Sequence, residues 1–172
     1  MPFRWEVSIP LPSLSHAMTV STDPSAFLLR HVGILRASFH HWTGKSLLDD
    51  NLDDASALIA LAGAPFSLVS HGIGAEPVFN YANQLALQLF EMSWEEFTAL
   101  PSRLSAEAPN QAERARLLEE VTRQGYIDNY CGIRIAKSGR RFMIRDATIW
   151  NLLTPEGEYY GQAALIRQWE ML

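Results

Sequence analysis

The sequence predicts an α+β fold in which short flanking helices cover one antiparallel sheet of five strands. Two observations predict it. Residues 77–97 change from a short strand pattern to two short helix patterns. Three longer strand patterns then follow one another toward the C-terminus, joined by glycine-containing turns. The chain has 172 residues and is 48% hydrophobic, which suits one globular domain with a buried core.

Composition excludes several classes of protein. The net charge of −5 argues against a nucleic-acid binder, because such proteins usually carry an excess of Lys and Arg. The single cysteine allows no intrachain disulfide and fits a reducing, cytoplasmic compartment. Residues 55–75 carry no charged side chain, but Pro65, Gly72 and Gly74 interrupt them. A membrane-spanning helix needs about 20 mostly apolar residues. We therefore expect no membrane partner.

The chain divides into three parts by pattern. Residues 1–22 are rich in Ser and Pro and are expected to form a loose arm. Residues 23–63 carry two helix patterns and are expected to form an N-terminal helical cap. Residues 64–172 carry the strand patterns and are expected to form a single globular unit with the cap.

The first cap helix begins at Asp23-Pro24, because Pro is favoured at the first helical position. It ends at Thr43-Gly44, where glycine can adopt the left-handed cap. The second helix runs from Asp53-Asp54 to Ala62. The first helix carries one apolar stripe, formed by Leu28, Val32, Leu35, Phe39 and Trp42. This stripe either packs on the chain's own sheet or forms the contact of a homodimer.

The core begins with two short strands, at 66–70 and 78–79. Asn80 or Asn83 then caps a helix, since an Asn side chain accepts a hydrogen bond from a free backbone N–H. Residues 93–96 have the S-x-x-E spacing of a capping box, which starts a second short helix.

The remaining elements are one helix and three strands. A loop between Pro101 and Pro109 precedes a helix from Gln111 to Gln124, which Asn110 caps and Gly125 ends. Its core-facing residues are predicted to be Ala115, Leu118, Val121 and Thr122. The three strands are predicted at 126–136, 140–153 and 159–169. The turns that join them are predicted at 137–140 and 155–158.

This order of elements is similar to the PAS fold. Tyr81-Ala-Asn83, followed by Leu85, Leu89 and residues 93–97, resembles the first-helix signature of that fold. The resemblance implies a PAS-like five-stranded antiparallel sheet. The flavin-reactive cysteine of light-sensing PAS relatives has no counterpart here, and neither has the axial histidine of haem-sensing relatives.

A closer resemblance is to the MEKHLA family, which contains stand-alone bacterial proteins and the C-terminal domain of plant class III homeodomain-leucine zipper proteins. It covers the chain from about Pro24 to the C-terminus and lies in the segments Phe90–Glu107, Gly139–Phe142, Trp150–Leu152 and Gly161–Ala164. The resemblance brings no catalytic motif, and fold alone does not imply function.

The last hairpin carries the predicted ligand site. A two- or four-residue turn centred on Ser138-Gly139 pairs Asn129 with Thr148 and Cys131 with Asp146 on one face. An unpaired buried polar group costs about 1–3 kcal/mol, so these four need partners. A ligand or ordered waters supply them, or the groups bond to one another and to the backbone. A three-residue turn would shift the register and remove this arrangement.

The same register places apolar residues around these polar pairs. We expect one buried cluster of Leu85, Leu89, Phe90, Ile133, Ile135, Phe142, Ile144 and Trp150. The opposite face is expected to be solvated and carries Asp128, Tyr130, Arg134, Arg141 and Arg145.

The predicted ligand-binding residues combine this face with the helices that cover it. They are Leu85, Leu89, Trp94, Arg103, Leu104, Asn129, Cys131, Asp146, Thr148 and Trp150. Arg103 either holds a carboxylate or forms a salt bridge from its loop. Cys131 is otherwise a small buried hydrophobic residue. His71, at a strand end, either lines the mouth of a pocket or is a turn residue.

The predicted function is a stand-alone cytoplasmic small-molecule sensor that signals through a partner or a homodimer. The sequence indicates no metal site and identifies no cofactor. One alternative is a small enzyme, of the isomerase or hydratase type, that uses a buried Asp146 as its base. The other alternative is a ligand-free dimerisation scaffold.

Overall fold

A computed structural model describes residues 24–172 and contains one antiparallel sheet of five strands, in the order β2-β1-β5-β4-β3. The α+β class predicted from the sequence is confirmed. The predicted arm, residues 1–22, lies outside the described residues. The elements are α1 (Pro24–Thr43), α2 (Asp54–Ala62), β1 (Ser67–His71), β2 (Phe79–Ala82), α3 (Gln84–Phe90), α4 (Trp94–Phe97), a 3-10 turn (Ser102–Ser105), α5 (Ala108–Gln124), β3 (Tyr126–Ile135), β4 (Arg141–Leu153) and β5 (Tyr159–Met171).

The short helices begin at predicted cap positions, and of the two candidates for α3 the cap is Asn83 rather than Asn80. The Asn83 side chain accepts a hydrogen bond from the Ala86 N–H at 3.1 Å, and Ser93 and Glu96 form the reciprocal capping box. Asn83 is buried and also bonds to backbone groups outside α3: its side chain accepts from Leu68 N–H and donates to the carbonyl of Phe66. One side chain therefore ties the start of α3 to the start of β1.

The sheet is covered by helices on both faces. Helices α1 and α2 pack on what we call the cap face, where Trp150, Leu152 and Leu165 meet Val32 and Leu35. The Phe39 and Trp150 rings also meet there edge to face, with 5.0 Å between their centroids. The apolar stripe of α1 thus packs on the chain's own sheet. Among the described residues, no helix is long and apolar enough to cross a membrane.

Helices α3, α4 and α5 cover the other face, which we call the inner face. There Phe142, Ile144, Ala147 and Ile166 pack against helical residues that include Leu89, Phe90 and Phe97. The predicted single cluster is wrong, because Trp150 belongs to the cap face and the sheet separates it from Leu89. Leu85, Ile133 and Ile135 are only partly buried.

Helix α5 begins earlier than predicted. It starts at Ala108, with Glu107 rather than Asn110 at the N-cap, because Pro109 fits a first turn whose N–H groups need no helical partner. Its buried side chains are Arg114, Leu117 and Val121, whereas the predicted core residues Ala115 and Thr122 are exposed.

The predicted register of the β3–β4 hairpin is wrong. The Ala136 N–H donates to the Arg140 carbonyl at 2.9 Å, which closes a three-residue loop with Gly139 at φ 90°. Arg134 therefore pairs with Phe142, and Gly132 pairs with Ile144. Since side chains alternate along a strand, this one-residue shift exchanges the two faces of β3.

Two irregularities in the β3–β4 pairing further change which residues lie on each face of the sheet. The pairing of β3 with β4 shifts between Ile127 and Tyr130 and again between Tyr130 and Gly132. Asn129 and Asp146 lie in these intervals with positive φ, at 54° and 48°. Beyond Asp146 the alternation of β4 is reversed. The inner face thereafter carries Ala147 and Ile149, and Thr148 and Trp150 lie on the cap face.

His31 connects α1 to the cap face of β1. Its Nε2 lies 2.8 Å from Ser70 Oγ, and the Ser70 hydroxyl itself donates to Asn80 Oδ1 at 2.6 Å. The histidine is therefore the donor to Ser70, and its buried Nδ1 has no partner among residues 24–172. Burial lowers the pKa of His31 to about 4, so the ring is neutral in the folded protein near pH 7.

We expect truncation of Leu89 to destabilise the inner face. Leu89→Ala should cost about 2–5 kcal/mol, the range for a leucine buried in a core. Leu89 is 8% exposed. The matched control is Leu104→Ala on the 3-10 turn, where the leucine is 41% exposed. Urea denaturation of the two variants measures the difference. Equal stabilities would contradict the assignment.

We also expect acid to weaken the attachment of α1. Between pH 6.5 and 4 the unfolded chain binds a proton at His31 that the folded chain does not bind, so stability falls as the pH falls. The full effect is on the order of 3 kcal/mol. In His31→Gln this part of the pH dependence should disappear, whereas it should remain in His40→Gln, which changes an exposed histidine of α1. Parallel stability curves for the wild type and His31→Gln would contradict the argument.

Candidate functional site

A cavity of about 40 Å³ lies between the inner face of the sheet and α5. A cavity that holds one water needs about 10–15 Å³, so this one has room for a few waters or a small ligand. Apolar side chains such as Phe79, Phe90, Ile144 and Ile166 form most of its wall. Six polar residues also line it: Ser70, His71, Ser105, Arg114, Arg134 and Gln162.

Arg114 reaches the cavity from α5. It is 8% exposed, and its guanidinium forms no hydrogen bond or ion pair with any residue from 24 to 172. Burial, together with the smaller effect of the Arg134 charge, lowers the pKa of Arg114 to about 10. The side chain still carries its positive charge near pH 7. A buried charge without a counter-charge is costly, and ordinary core packing does not call for one.

Arg134 reaches the cavity from β3 and is 7% exposed. Its Nη1 donates to the carbonyl of Ile133 at 2.8 Å, and its Nη2 donates to the Tyr130 hydroxyl at 3.4 Å. Neither partner is a carboxylate. A Cβ on Gly132 would lie 2.3 Å from the Tyr130 hydroxyl, so glycine at this position gives the tyrosine room beside Arg134.

His71, the last residue of β1, brings a third polar group to the cavity. Its Nδ1 lies 2.8 Å from the Gly72 carbonyl, which can only accept, so Nδ1 carries the proton. The buried Nε2 is then an acceptor, and no group of residues 24–172 donates a hydrogen bond to it, although the Gln162 side chain lies close enough to influence the ring. Burial lowers the pKa of His71, and the nearby charge of Arg114 also lowers it. The ring is therefore neutral at pH 7.

Hydrogen bonds fix α5, and hence Arg114, against the sheet. Gln162 on β5 donates to the Leu118 carbonyl and to Asn151 Oδ1, each at 3.1 Å. Asn151 on β4 donates to the carbonyl of Val121 at 3.0 Å. Two of these bonds cross from the sheet to α5 and the third joins the two strands, so the position of Arg114 is set by the fold rather than by a loop.

The predicted polar cluster of the hairpin does not form. Asn129 and Cys131 are exposed, and Asp146 is half-exposed with its carboxylate 3.9 Å from Arg167. The shifted register and the irregularity at Asp146 turn these residues away from the inner face. Cys131 is therefore also not the small buried residue of the other interpretation. Thr148 lies on the cap face and is bonded to Asp128 and Arg167.

None of the ten predicted residues lines the cavity. Trp150 packs against α1, and Leu89, a residue of α3, is buried in the hydrophobic cluster of the inner face. Arg103 is exposed and pairs with Glu76 at 2.6 Å, which is the salt-bridge alternative. The remaining three are Leu85 and Trp94, which are partly buried, and Leu104, which is exposed.

Two sequence signals for the cavity were missed. Arg114 lies three and seven residues before Leu117 and Val121, on the apolar stripe of α5, where a charged residue is unusual. Arg134 follows from a three-residue loop over Lys137–Gly139, since glycine at the third position favours that loop. His71 lines the cavity, as one of its two interpretations anticipated.

Comparison with known families gives one match over most of the chain. The sequence profile of the MEKHLA domain matches residues 29–171. No curated protein matches the chain by sequence.

Solved structures of similar fold are PAS and light-oxygen-voltage domains. A PAS domain from Colwellia psychrerythraea superposes with a TM-score of 0.53 at 14% identity, covering 66% of this chain and 92% of its own. The light-state dimer of the fungal blue-light photoreceptor Vivid gives 0.53 at 15%, with coverages of 77% and 90%. A light-oxygen-voltage domain studied with a flavin analogue gives 0.54 at 17%, with coverages of 68% and 84%. At these identities the likeness concerns the fold alone.

Replacing Arg114 by an apolar residue should stabilise the protein when no ligand is present. Arg114→Met keeps most of the side-chain volume and removes an unpartnered buried charge, so we expect a gain of about 1–4 kcal/mol. Arg116→Met, at an exposed position of α5, is the matched control and should change stability little. Urea denaturation in a buffer without small organic anions measures both. A less stable Arg114→Met would show that a partner already compensates this charge.

Proposed function

The chain belongs to the MEKHLA domain family, and we propose that it is a small-molecule sensor with a PAS-like fold. In this proposal the ligand occupies the cavity under α5, and its presence is transmitted through the sheet to α1. The protein then signals from the cytoplasm through a partner protein or a homodimer.

One observation carries this proposal: polar groups without partners converge on a small cavity whose wall is otherwise apolar. Ligand sites typically combine an apolar lining with a few polar groups that orient the ligand. His71 Nε2 is fully buried without a hydrogen-bond partner among residues 24–172. The Arg114 side chain is 8% exposed and forms no hydrogen bond within the same residues. Core packing alone gives no reason to retain them, because each carries a desolvation cost.

Strand β1 provides a route from the cavity to α1. His71 lies on the inner face, and its neighbour Ser70 directs its hydroxyl to His31 of α1 on the cap face. Adjacent residues of a strand point to opposite faces, so a displacement of β1 moves side chains on both the inner face and the cap face. The inner stripe of α1 is already packed on the sheet. A partner or a second copy would therefore contact the outer side of the helix, which exposes Leu29, Arg30, Ala37 and His40.

The enzyme alternative receives less support. It requires a buried carboxylate as base, but Asp146 is half-exposed and paired with Arg167. No Asp or Glu is among the described residues that line the cavity. The scaffold alternative requires a filled core, and the cavity with its unpaired polar groups speaks against it.

A cavity-filling variant tests the proposal. Ala164→Leu adds side-chain volume at the cavity wall without changing any polar group, whereas Ala115→Leu adds the same volume at an exposed position of α5. A panel of neutral, cationic and anionic metabolites is screened by thermal shift. A ligand at 100 times its Kd should stabilise the wild type by about 2.7 kcal/mol, or several degrees. We expect Ala115→Leu to keep this response and Ala164→Leu to lose it.

Transmission to α1 is measured with the compound that gives this response. Hydrogen–deuterium exchange of α1 should change on ligand addition in the wild type and not in Ala164→Leu. If no compound acts in a cavity-dependent way, or if α1 does not respond, the sensor proposal fails and the scaffold interpretation replaces it.

A further inference from the structure

We propose that the ligand of this cavity is a short organic carboxylate held between Arg114 and Arg134, with a ligand hydroxyl donating to His71. The inference rests on the proposed function, because it names the chemical class of the molecule that this cavity binds. It follows from the charges of the site, from the shape of its donors and from the size and polarity of the wall.

The distribution of ion pairs in the molecule supports an anion. Seven arginine or lysine side chains of the described chain pair with carboxylates, and all seven are at least partly exposed. Arg114 and Arg134 are buried, yet they pair with none of these carboxylates. The usual arrangement is reversed, since buried charges are normally the paired ones. The chain carries 19 Asp and Glu residues, so a counter-charge was available in its composition but is not placed here.

The two guanidinium groups lie close enough for the charge of Arg134 to lower the pKa of Arg114. A single anion between them would remove this repulsion and supply the missing acceptors. Within residues 24–172 the Arg114 guanidinium, which has five N–H donors, forms no hydrogen bond, whereas Arg134 uses two of its nitrogens on Ile133 and Tyr130. The planar fork of a guanidinium matches the two oxygens of a carboxylate, which makes this pairing both strong and directional.

His71 and the apolar wall distinguish a carboxylate from an inorganic oxyanion. His71 presents an unprotonated Nε2, which repels an oxyanion but accepts a hydrogen bond from a hydroxyl group. Phe79, Phe90 and Ile166 offer contacts to carbon atoms rather than to oxygen. A cavity of about 40 Å³ restricts the ligand to a few heavy atoms. A short hydroxy acid meets all three conditions.

Defined compounds test the class of ligand. L-lactate, propionate, lactamide, inorganic phosphate and chloride are titrated at constant ionic strength and followed by thermal shift and by calorimetry. We expect lactate to bind at least about tenfold more tightly than propionate, which lacks the hydroxyl group, and than lactamide, which lacks the charge. Phosphate and chloride should bind more weakly than both carboxylates. Equal binding of phosphate and lactate, or of lactamide and lactate, would overturn the inference.

Variants assign the roles of the residues. Arg114→Met and Arg134→Met should each lose lactate binding, whereas Arg116→Met should keep it. Arg114→Lys keeps the charge but loses the fork, and we expect at least about a tenfold loss in affinity. His71→Phe should reduce the preference for lactate over propionate to about onefold. Circular dichroism confirms that each variant is folded, and the expected gain in stability of Arg114→Met makes it informative even if another variant unfolds.

The failure of this inference is distinguishable from the failure of the proposed function. A neutral or cationic compound that stabilises the wild type but not Ala164→Leu would leave the sensor in place and refute the carboxylate. Lactate binding that persists in Ala164→Leu and in Arg114→Met would place the anion elsewhere and also refute it. If no compound acts in a cavity-dependent way, both proposals fail.

Discussion

The register of the β3–β4 hairpin decides which side chains meet α5, and the rest of the site depends on it. The three-residue loop brings Arg134 to the inner face opposite Phe142. The irregularity at Asp146 then keeps Ala147 and Ile149 on that face and moves Trp150 to the cap face. With a shift of one residue the inner face would present isoleucines in place of Arg134, and the cavity would lose one of its two cations.

Coverage of both sheet faces gives the fold its stability and also its connection between layers. One hydrophobic cluster lies under α1 and α2, and a second lies under α3 and α4. Strand β1 separates them and contributes residues to both, since Val69 faces the inner cluster and Leu68 faces the cap. If one face of the sheet were solvated, a ligand could change only the helices packed on the face where it binds. Here a change at the inner face has a packed helix on the other side.

The cavity brings together two departures from the usual rules of packing, although His31 Nδ1, Ser67 Oγ and Trp150 Nε1 are also buried without a partner in the described chain. Six arginines outside the cavity pair with carboxylates, the short helices α3 and α4 have side-chain caps, and most buried polar side chains have partners. At the cavity a guanidinium and an imidazole nitrogen that have no hydrogen-bond partner among residues 24–172 share the wall with Phe79 and Phe90. Such local exceptions cost stability, and proteins retain them mainly at functional sites. The two apolar layers supply the stability that offsets them.

The sequence by itself determined the α+β class, the positions of most helices and strands, the helix start at Asp53-Asp54 and the capping box at Ser93, and it limited the cap of α3 to Asn80 or Asn83. These features depend on neighbouring residues, so their signals are local in the chain. Only the tertiary structure decided which face each strand residue occupies. Asn129 and Asp146 adopt positive φ, which Asn and Asp tolerate but do not require. The local sequence therefore does not predict the shifts in β3–β4 pairing at these two residues. Packing against neighbouring strands selects that conformation, and the alternation of side chains then carries its effect along the whole strand.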